Sequence, residues 1–462
     1  MLVHDRFLHQ HRHKTSADLQ SALIHNESTR MRERVKSTLQ LCMIATLLSF
    51  TAVPGCTSDS DTGHAFRIES IDGVSTATTS GRAKYEGELF QYEEILRITP
   101  DPDDPDSYLI LPRSPVMDTD GNFHVTDSND HCIAVFDSEG HYRYRIGREG
   151  EGPGDLRLPR SLHIWSDTLQ VNSHFVTWRL TRFTTDGQLV DMTTRSLATD
   201  SIIPELYRAP SGELLVSTSS RPTIDDTQYA EAQMTVLSAA GDTVATIEAP
   251  RLRSAKIVSI AWEGRGTNYP LRVQCNGIPL ITYAPGAGIM VTNGMEPVID
   301  FYDLTGTLAR RVVLDIPPDP ITGEEKRAYV DDLRAQLAEV RQSPDPNAYT
   351  LARLEAGIAD PQFPPHKAYW GRMDLDDEGW LWLMTVDSPA AAATATDTGH
   401  SGPRLRVVDA NGEYLGDTIW PPVVDGHVQS GHLLGIVESP ETDERIPVIY
   451  RVRPALPGLV YP

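Results

Sequence analysis

Residues 117–147, "MDTDGNFHVTDSNDHCIAVFDSEGHYRYRIG", alternate short apolar runs with turn residues. Phe123 and Val125 mark one run, Ile133 and Val135 a second, and "HYRYRI" a third, with polar and glycine turns between them. Period-two alternation broken by Asp, Asn and Gly is the pattern of small antiparallel strands joined by tight turns. The phrase also recurs. "LPRS" stands at 111–114 and again at 158–161, and "FDSEG" ending at Gly140 is answered by "FTTDG" ending at Gly187, both at a spacing of 47. Two independent phrases with one period establish an internal repeat.

Weaker copies of the same hairpin end at Gly241 ("LSAAG"), Gly306 ("YDLTG") and Gly412 ("VDANG"), next to strand-like words such as "ELLVSTS", "GIMVTN" and "GWLWLM". A unit of 40–50 residues with about four strands is the signature of a propeller blade. Five hairpins are visible. The final stretch, "HLLGIVESPETDERIPVIYRVRP", has three strands' worth of pattern and no last hairpin. An outer edge left bare would invite association, and the run "ELFQYEEILRI" at 88–98 precedes the first blade, free to cover it. The expected fold is all-β, a six-bladed β-propeller over 66–462 closed by joining the two ends of the chain.

The order "IAVFDSEG…YRIGREGEGPGDL…P", followed later by "MDLDDEGWLWL", resembles the six-bladed, NHL-like propellers found among bacterial exported proteins and lipoproteins. The resemblance spans roughly residues 66–454 and departs mildly at Gly154-Asp155-Leu156, where the family usually reads Gly-Glu-Phe. It implies a fold and almost no function, because propellers host many activities.

The glycine-rich loop "GREGEGPGD" invites a phosphate-binding reading. A phosphate loop wants Gly-Lys-Ser/Thr entering a helix, and a dinucleotide loop wants a helix N-terminus and a later acid. Here "LRLPRS" follows, without helical period, so the loop reads as the crossing between two blades. Positive φ is expected at Gly152 and Gly154. One segment breaks the β pattern, at about 320–360. Thr322 and Glu325 form a capping box, Val330, Leu333, Leu337 and Val340 form a stripe, and a second helix opens at Asn347 with Leu351, Leu354 and Ile358. This helical insertion falls between blades 4 and 5, to pack against a blade side or to lid the central channel.

The first 65 residues read as address rather than fold. Residues 1–30 have no core pattern and read as an upstream extension. From Met31 a basic start (Arg32, Arg34, Lys36) leads into an apolar stretch, Leu39 to Phe50, and small residues before Cys56. Twelve residues fall short of the roughly 20 that cross a bilayer as a helix, so 31–55 is expected to be a signal peptide. "VPGC" resembles the lipobox of bacterial lipoproteins at Val53, Gly55 and Cys56, which implies lipidation at Cys56, whereas Pro54 departs from it; an ordinary secretory signal with a chance cysteine is the alternative. Residues 56–65 then serve as a linker, and the expected address is the cell envelope, with an outer-membrane lipoprotein facing the periplasm or exterior. Thr57, rather than Asp, follows the cysteine. Cys132 and Cys275 remain, and 143 residues between them say nothing of their distance in space.

With 41 Lys+Arg against 64 Asp+Glu the net charge is −23. Such a surface repels phosphate backbones and anionic headgroups, so nucleic acid is excluded as a partner and membrane contact is left to the lipid. The chain has no Gly-x-Ser-x-Gly, His-Glu-x-x-His or Cys-x-x-Cys-His word and no calcium loop, so no catalytic residue, metal ligand or cofactor is assigned. "DPDDPD" at 101–106 lacks a closing Glu, and "DLDDEG" at 374–379 aligns with a blade turn. Arg113 and Arg160, in the two "LPRS" words, sit near inner-strand entries where propellers present ligand contacts; as surface arginines among acids they need no ligand. Two functions follow as expectations. One is a monomeric, lipid-anchored binding module for an envelope protein or small ligand. The other is a metal-dependent hydrolase resembling gluconolactonase-type propellers, which needs three or four Glu, Asn or Asp ligands converging from different blades.

Overall fold

The computed structural model describes residues 63–461, apart from 102, 175–176, 196–201, 387–401 and 440–443. The expected signal peptide at 31–55 and Cys56 lie outside the described residues. Among the described residues six sheets carry the fold, antiparallel throughout except for one parallel pair in the fourth blade. Blade 1 is built from Pro112–Met117, Phe123–Asp127, Cys132–Phe136 and Tyr142–Ile146, and blade 2 from Pro159–Trp165, Thr168–His174, Trp178–Thr184 and Leu189–Arg195. Blades 3 to 6 begin with the strands Ile202–Arg208, Leu280–Ala284, Arg372–Leu375 and Val424–Gln429. The "LPRS" repeat thus opens the first strand of blades 1 and 2. First strands touch between blades 1 and 2, 4 and 5, 5 and 6, and 6 and 1, while blade 3 meets blades 2 and 4 through its own first three strands, so the ring is closed. These first strands are the inner ones.

Each seam between neighbouring blades has its own apolar cluster, for example Ile133, Leu156, Leu162 and Phe183 between blades 1 and 2 and Tyr207, Met234, Ile289 and Val291 between blades 3 and 4. The core is therefore a ring of six seams rather than one centre. Blade 6 has three strands of its own, and Phe90–Arg97 completes it by pairing antiparallel with Arg445–Pro454, from Phe90 opposite Pro454 to Arg97 opposite Val448. Backbone bonds from Ile98 N to the Pro447 carbonyl and from Ala455 N to the Leu89 carbonyl extend the seam at both ends. This is the closure expected from residues 88–98.

The five repeated glycines make the outer turns of blades 1 to 5. Gly140, Gly187, Gly241, Gly306 and Gly412 all have φ between 83° and 94°, a region that only glycine enters without strain. The loop after blade 1 is built on the same economy. Leu156, fully buried, plugs the seam between blades 1 and 2, Asp155 accepts from Gly152 N at 2.9 Å, and Arg179 donates to the carbonyls of Asp155 and Glu151. Gly154 has φ 81°, as expected. Gly152 does not share that conformation; a side chain there would meet the Asp155 carboxylate at 2.9 Å instead. Its acid and carbonyls are thus tied to its own N–H and arginine groups, which fix the crossing between the two blades.

The helical insertion forms as its caps dictate. Helix α1, Gly323–Gln342, starts at Thr322 with both halves of the capping box present, and helix α2, Ala348–Ala359, starts at Asn347, whose side chain accepts from Thr350 N. The two helices pack on each other, and α2 rests on an outlying ribbon of blade 3, Leu252–Trp262 with Arg265–Arg272, through the Trp262–Tyr349 ring contact at 5.0 Å and the Lys256–Asp360 ion pair at 2.8 Å. No residue of the helices lines the central channel. The insertion is thus a buttress on a blade side, not a lid.

One addition has no counterpart in the repeat. Strands His64–Ile71 and Val74–Gly81 form a hairpin whose second strand runs parallel to the outer strand of blade 4, Leu308–Asp315, making that sheet six-stranded. Thr79 Oγ1 accepts from Tyr414 N, and Glu413 binds His64 and Lys84, so the hairpin also clasps blade 5. Among the described residues no helix is long and apolar enough to cross a membrane.

Candidate functional site

The inner strands enclose a channel of about 1020 Å³ to which all six blades contribute. Alternation decides which residues reach it: along a strand, every second side chain turns to the same face. On blade 2 these are Ser161 and His163, on blade 5 Arg372 and Asp374, and on blades 3 and 6 Glu205 and His427.

Glu205 is the best-defined group. Its carboxylate accepts from Tyr207 Oη and lies 3.6 Å from His163 Nε2 on the neighbouring blade. Burial pushes its carboxyl up, but the nearness of His163 and of the Tyr207 and Ser161 hydroxyls outweighs this and holds it below the usual carboxylate range. Tyr207 goes the other way, its phenol raised well above the usual range by burial and by the Glu205 charge. The proton therefore stays on tyrosine and the charge on glutamate.

Across the channel, burial raises Asp374 above the usual range, against the opposing charges of Arg372 and His163. Burial, with Arg372 and His163 adding to it, pushes His427 down to about 4, so its imidazole is neutral at pH 7. Arg372 Nη2 donates to the Gly426 carbonyl at 2.7 Å. Ser161 Oγ, His163 Nε2 and Asp374 Oδ2 are buried without a hydrogen-bond partner in the protein. Such atoms each cost on the order of 1–3 kcal/mol unless water or a ligand satisfies them. An aromatic wall stands behind Glu205: Trp165 lies over Tyr207 at 5.9 Å and 20°, with Tyr283 edge-on to Trp165 at 5.4 Å.

The two arginines marked by the repeat sit at the rim. Arg160 is exposed and lines the channel, whereas Arg113 reaches across to blade 6 and pairs with Asp425 at 3.6 Å. The repeat located the rim but not the interior, because His163, Glu205, Arg372, Asp374 and His427 belong to four blades and share no word. The available signal was register: His163 follows the second "LPRS" serine by two positions and so occupies the same face.

Among the described residues, no three His, Cys, Asp or Glu side chains are gathered so as to hold a metal ion. Cys132 and Cys275 are both free and buried, and burial pushes their thiols up to about 12 and about 11. They form no disulfide and are poor nucleophiles.

Residues 104–168 match the model of a family described as a six-bladed beta-propeller. No curated protein matches the chain. Among solved structures it is similar to a protein of Bacteroides fragilis described as exported, at 12% identity over 79% of this chain and 95% of that one, TM-score 0.42. It is also similar to virginiamycin B lyase of Staphylococcus aureus, at 11% identity over 78% and 99%, TM-score 0.35. A third is the PQQ-bound aldose sugar dehydrogenase of Streptomyces coelicolor, at 8% identity over 79% and 99%, TM-score 0.37. At such scores these likenesses carry no functional argument; the six sheets and the family match carry the fold.

Proposed function

We propose that this six-bladed propeller is a lipid-anchored binding protein of a bacterial envelope, and that its central channel takes a small polyhydroxylated molecule, neutral or cationic. The observation that supports this reading is the channel interior, where an ionised Glu205, a neutral His427, Asp374 and Arg372 converge beside an aromatic wall. Acceptors and donors set against ring faces suit vicinal hydroxyls and C–H surfaces together. Acids outnumber bases along the lining, with Asp377, Glu378 and Asp425 added at the rim against Arg160, Arg310 and Arg372, which disfavours an anionic ligand. Arg160 then contacts ligand at the mouth, and Arg113 acts through Asp425. The volume is that of a small-molecule site.

Calorimetric titration with a panel of sugars, amino sugars and polyamines should find a saturable ligand. Its affinity should fall about tenfold or more in Glu205→Gln, the loss of one charge-assisted hydrogen bond, and likewise in Trp165→Ala. A panel without binders, or binding indifferent to both variants, would remove the channel as the site. For the anchor, a fatty-acid analogue should label the wild type and spare Cys56→Ser; equal labelling of both would sink it.

A further inference from the structure

Among the described residues, the outermost strand of the enlarged blade-4 sheet, His64–Ile71, is paired on one side only. Its turn fixes which backbone groups are free. Asp72 and Gly73, at φ 51° and 84°, make a two-residue hairpin turn between Ile71 and Val74. In such a hairpin the flanking pair exchanges both hydrogen bonds and the pattern alternates from there. Ile71, Glu69 and Arg67 therefore bond inward, and the N–H and C=O groups of Ser70, Ile68 and Phe66 point to the open edge, where no backbone partner meets them among the described residues. The strand has no proline or bulge to blunt that edge, and Ile68 and Ile71 are 55% and 48% exposed. Open edges of this kind are templates for another strand.

We propose that the strand is a self-association edge, pairing antiparallel with the same strand of a second copy about a two-fold axis at Ile68. Charge selects this occupant and register. With the axis at Ile68, Ile68 exchanges both backbone bonds with its symmetry mate, Phe66 bonds Ser70, and Arg67 stands directly opposite Glu69 in both halves, at the closely spaced non-hydrogen-bonded positions where side chains meet. The Arg67–Glu69 contact at 3.1 Å within one chain becomes part of an alternating square of four charges. Moving the axis by one residue sets Arg67 against Arg67 or Glu69 against Glu69. Only the Ile68 register opposes unlike charges, so the edge is complementary to itself. The monomer expected from sequence gives way to a two-fold dimer.

Sedimentation of the detergent-extracted full chain, from micromolar to near-millimolar concentration, should give a reversible dimer. Arg67→Glu and Glu69→Arg should each raise its dissociation constant about tenfold, and an equimolar mixture of the two should recover association as a heterodimer. Ile68→Pro, which removes an outward N–H and leaves the hairpin's own bonds intact, should abolish it. All three side chains are exposed, so unchanged melting will separate lost pairing from lost folding. In cells, Ile68→Cys should form a disulfide-linked dimer and Ile71→Cys should not, since only the former meets its own copy. A chain monomeric throughout the range, a dimer indifferent to these variants, or an edge occupied by a different protein would each overturn the proposal.

Discussion

Phe90→Ala is expected to cost about 3–5 kcal/mol of stability, the range for emptying a large aromatic site in a packed core. Phe90 opens the closing strand and is 1% exposed, with its ring against Trp382 at 5.3 Å, Tyr461 at 5.4 Å and Trp380 at 6.3 Å. The site cannot collapse to fill the gap, since its walls come from blades 5 and 6 and from the chain's end. Position on the seam makes the loss global, because among the described residues this strand is the one that pairs with the outer edge of the last blade. Ile95→Ala, on the same strand but 39% exposed, should shift the denaturation midpoint by no more than about 0.5 kcal/mol equivalent. Deleting residues 88–98 should bare the edge of Arg445–Pro454 and cost solubility as well. Equal midpoints for the two alanine variants, or a deletion that melts like the parent, would mean that the ring is held elsewhere.

Asp376→Ala should be comparably damaging, at about 4 kcal/mol. The buried carboxylate accepts from Trp380 N at 2.7 Å, Trp382 Nε1 at 2.9 Å and Tyr461 Oη at 2.8 Å. Truncation strands three buried donors at roughly 1–3 kcal/mol each, partly offset because a buried charge is removed with them. Asp376→Asn keeps one acceptor oxygen and should lose about half as much. Burial holds the Asp376 carboxyl above the usual carboxylate range in spite of those donors. The folded protein thus binds this proton more tightly than the unfolded chain, and the residue's contribution becomes more favourable as pH falls toward and through that range. Urea titrations at pH 7 and pH 5 should therefore find the gap between wild type and Asp376→Asn wider at pH 5. A gap that narrows would contradict the burial of the charge.

The turn containing Asp376 was legible as a blade turn, and its deeper role was not. Blade 1 has the same arrangement six residues on: Asp118 pairs with His124 Nε2 at 3.0 Å as Asp376 does with Trp382 Nε1. Histidine and tryptophan share little as letters but both bring a ring nitrogen to one spot, so identity of words could not reveal the equivalence. Period, glycine turns, helix caps and the missing last strand were all readable because each is set by residues close in sequence. The hairpin His64–Gly81 was half readable. Its Asp-Gly turn between alternating residues is a local signal, whereas its parallel partner at Leu308–Asp315 is announced by nothing nearby. The channel residues were hidden for a similar reason: one position per blade, chosen by ring geometry, leaves no pattern along the chain.

Closure by Phe90–Arg97 sets a timetable for biosynthesis. The strand leaves the ribosome about 350 residues before its partner, Arg445–Pro454, to which it pairs antiparallel. At about 5–20 residues per second, the two strands are synthesised on the order of half a minute apart, and until the second exists the first has an unpaired edge. Glu93, Glu94 and Arg97 on that strand act as gatekeepers through the wait, since charges on a lone strand discourage premature partners. Every copy must pass through this open ring, whose latch is already in hand before the door exists.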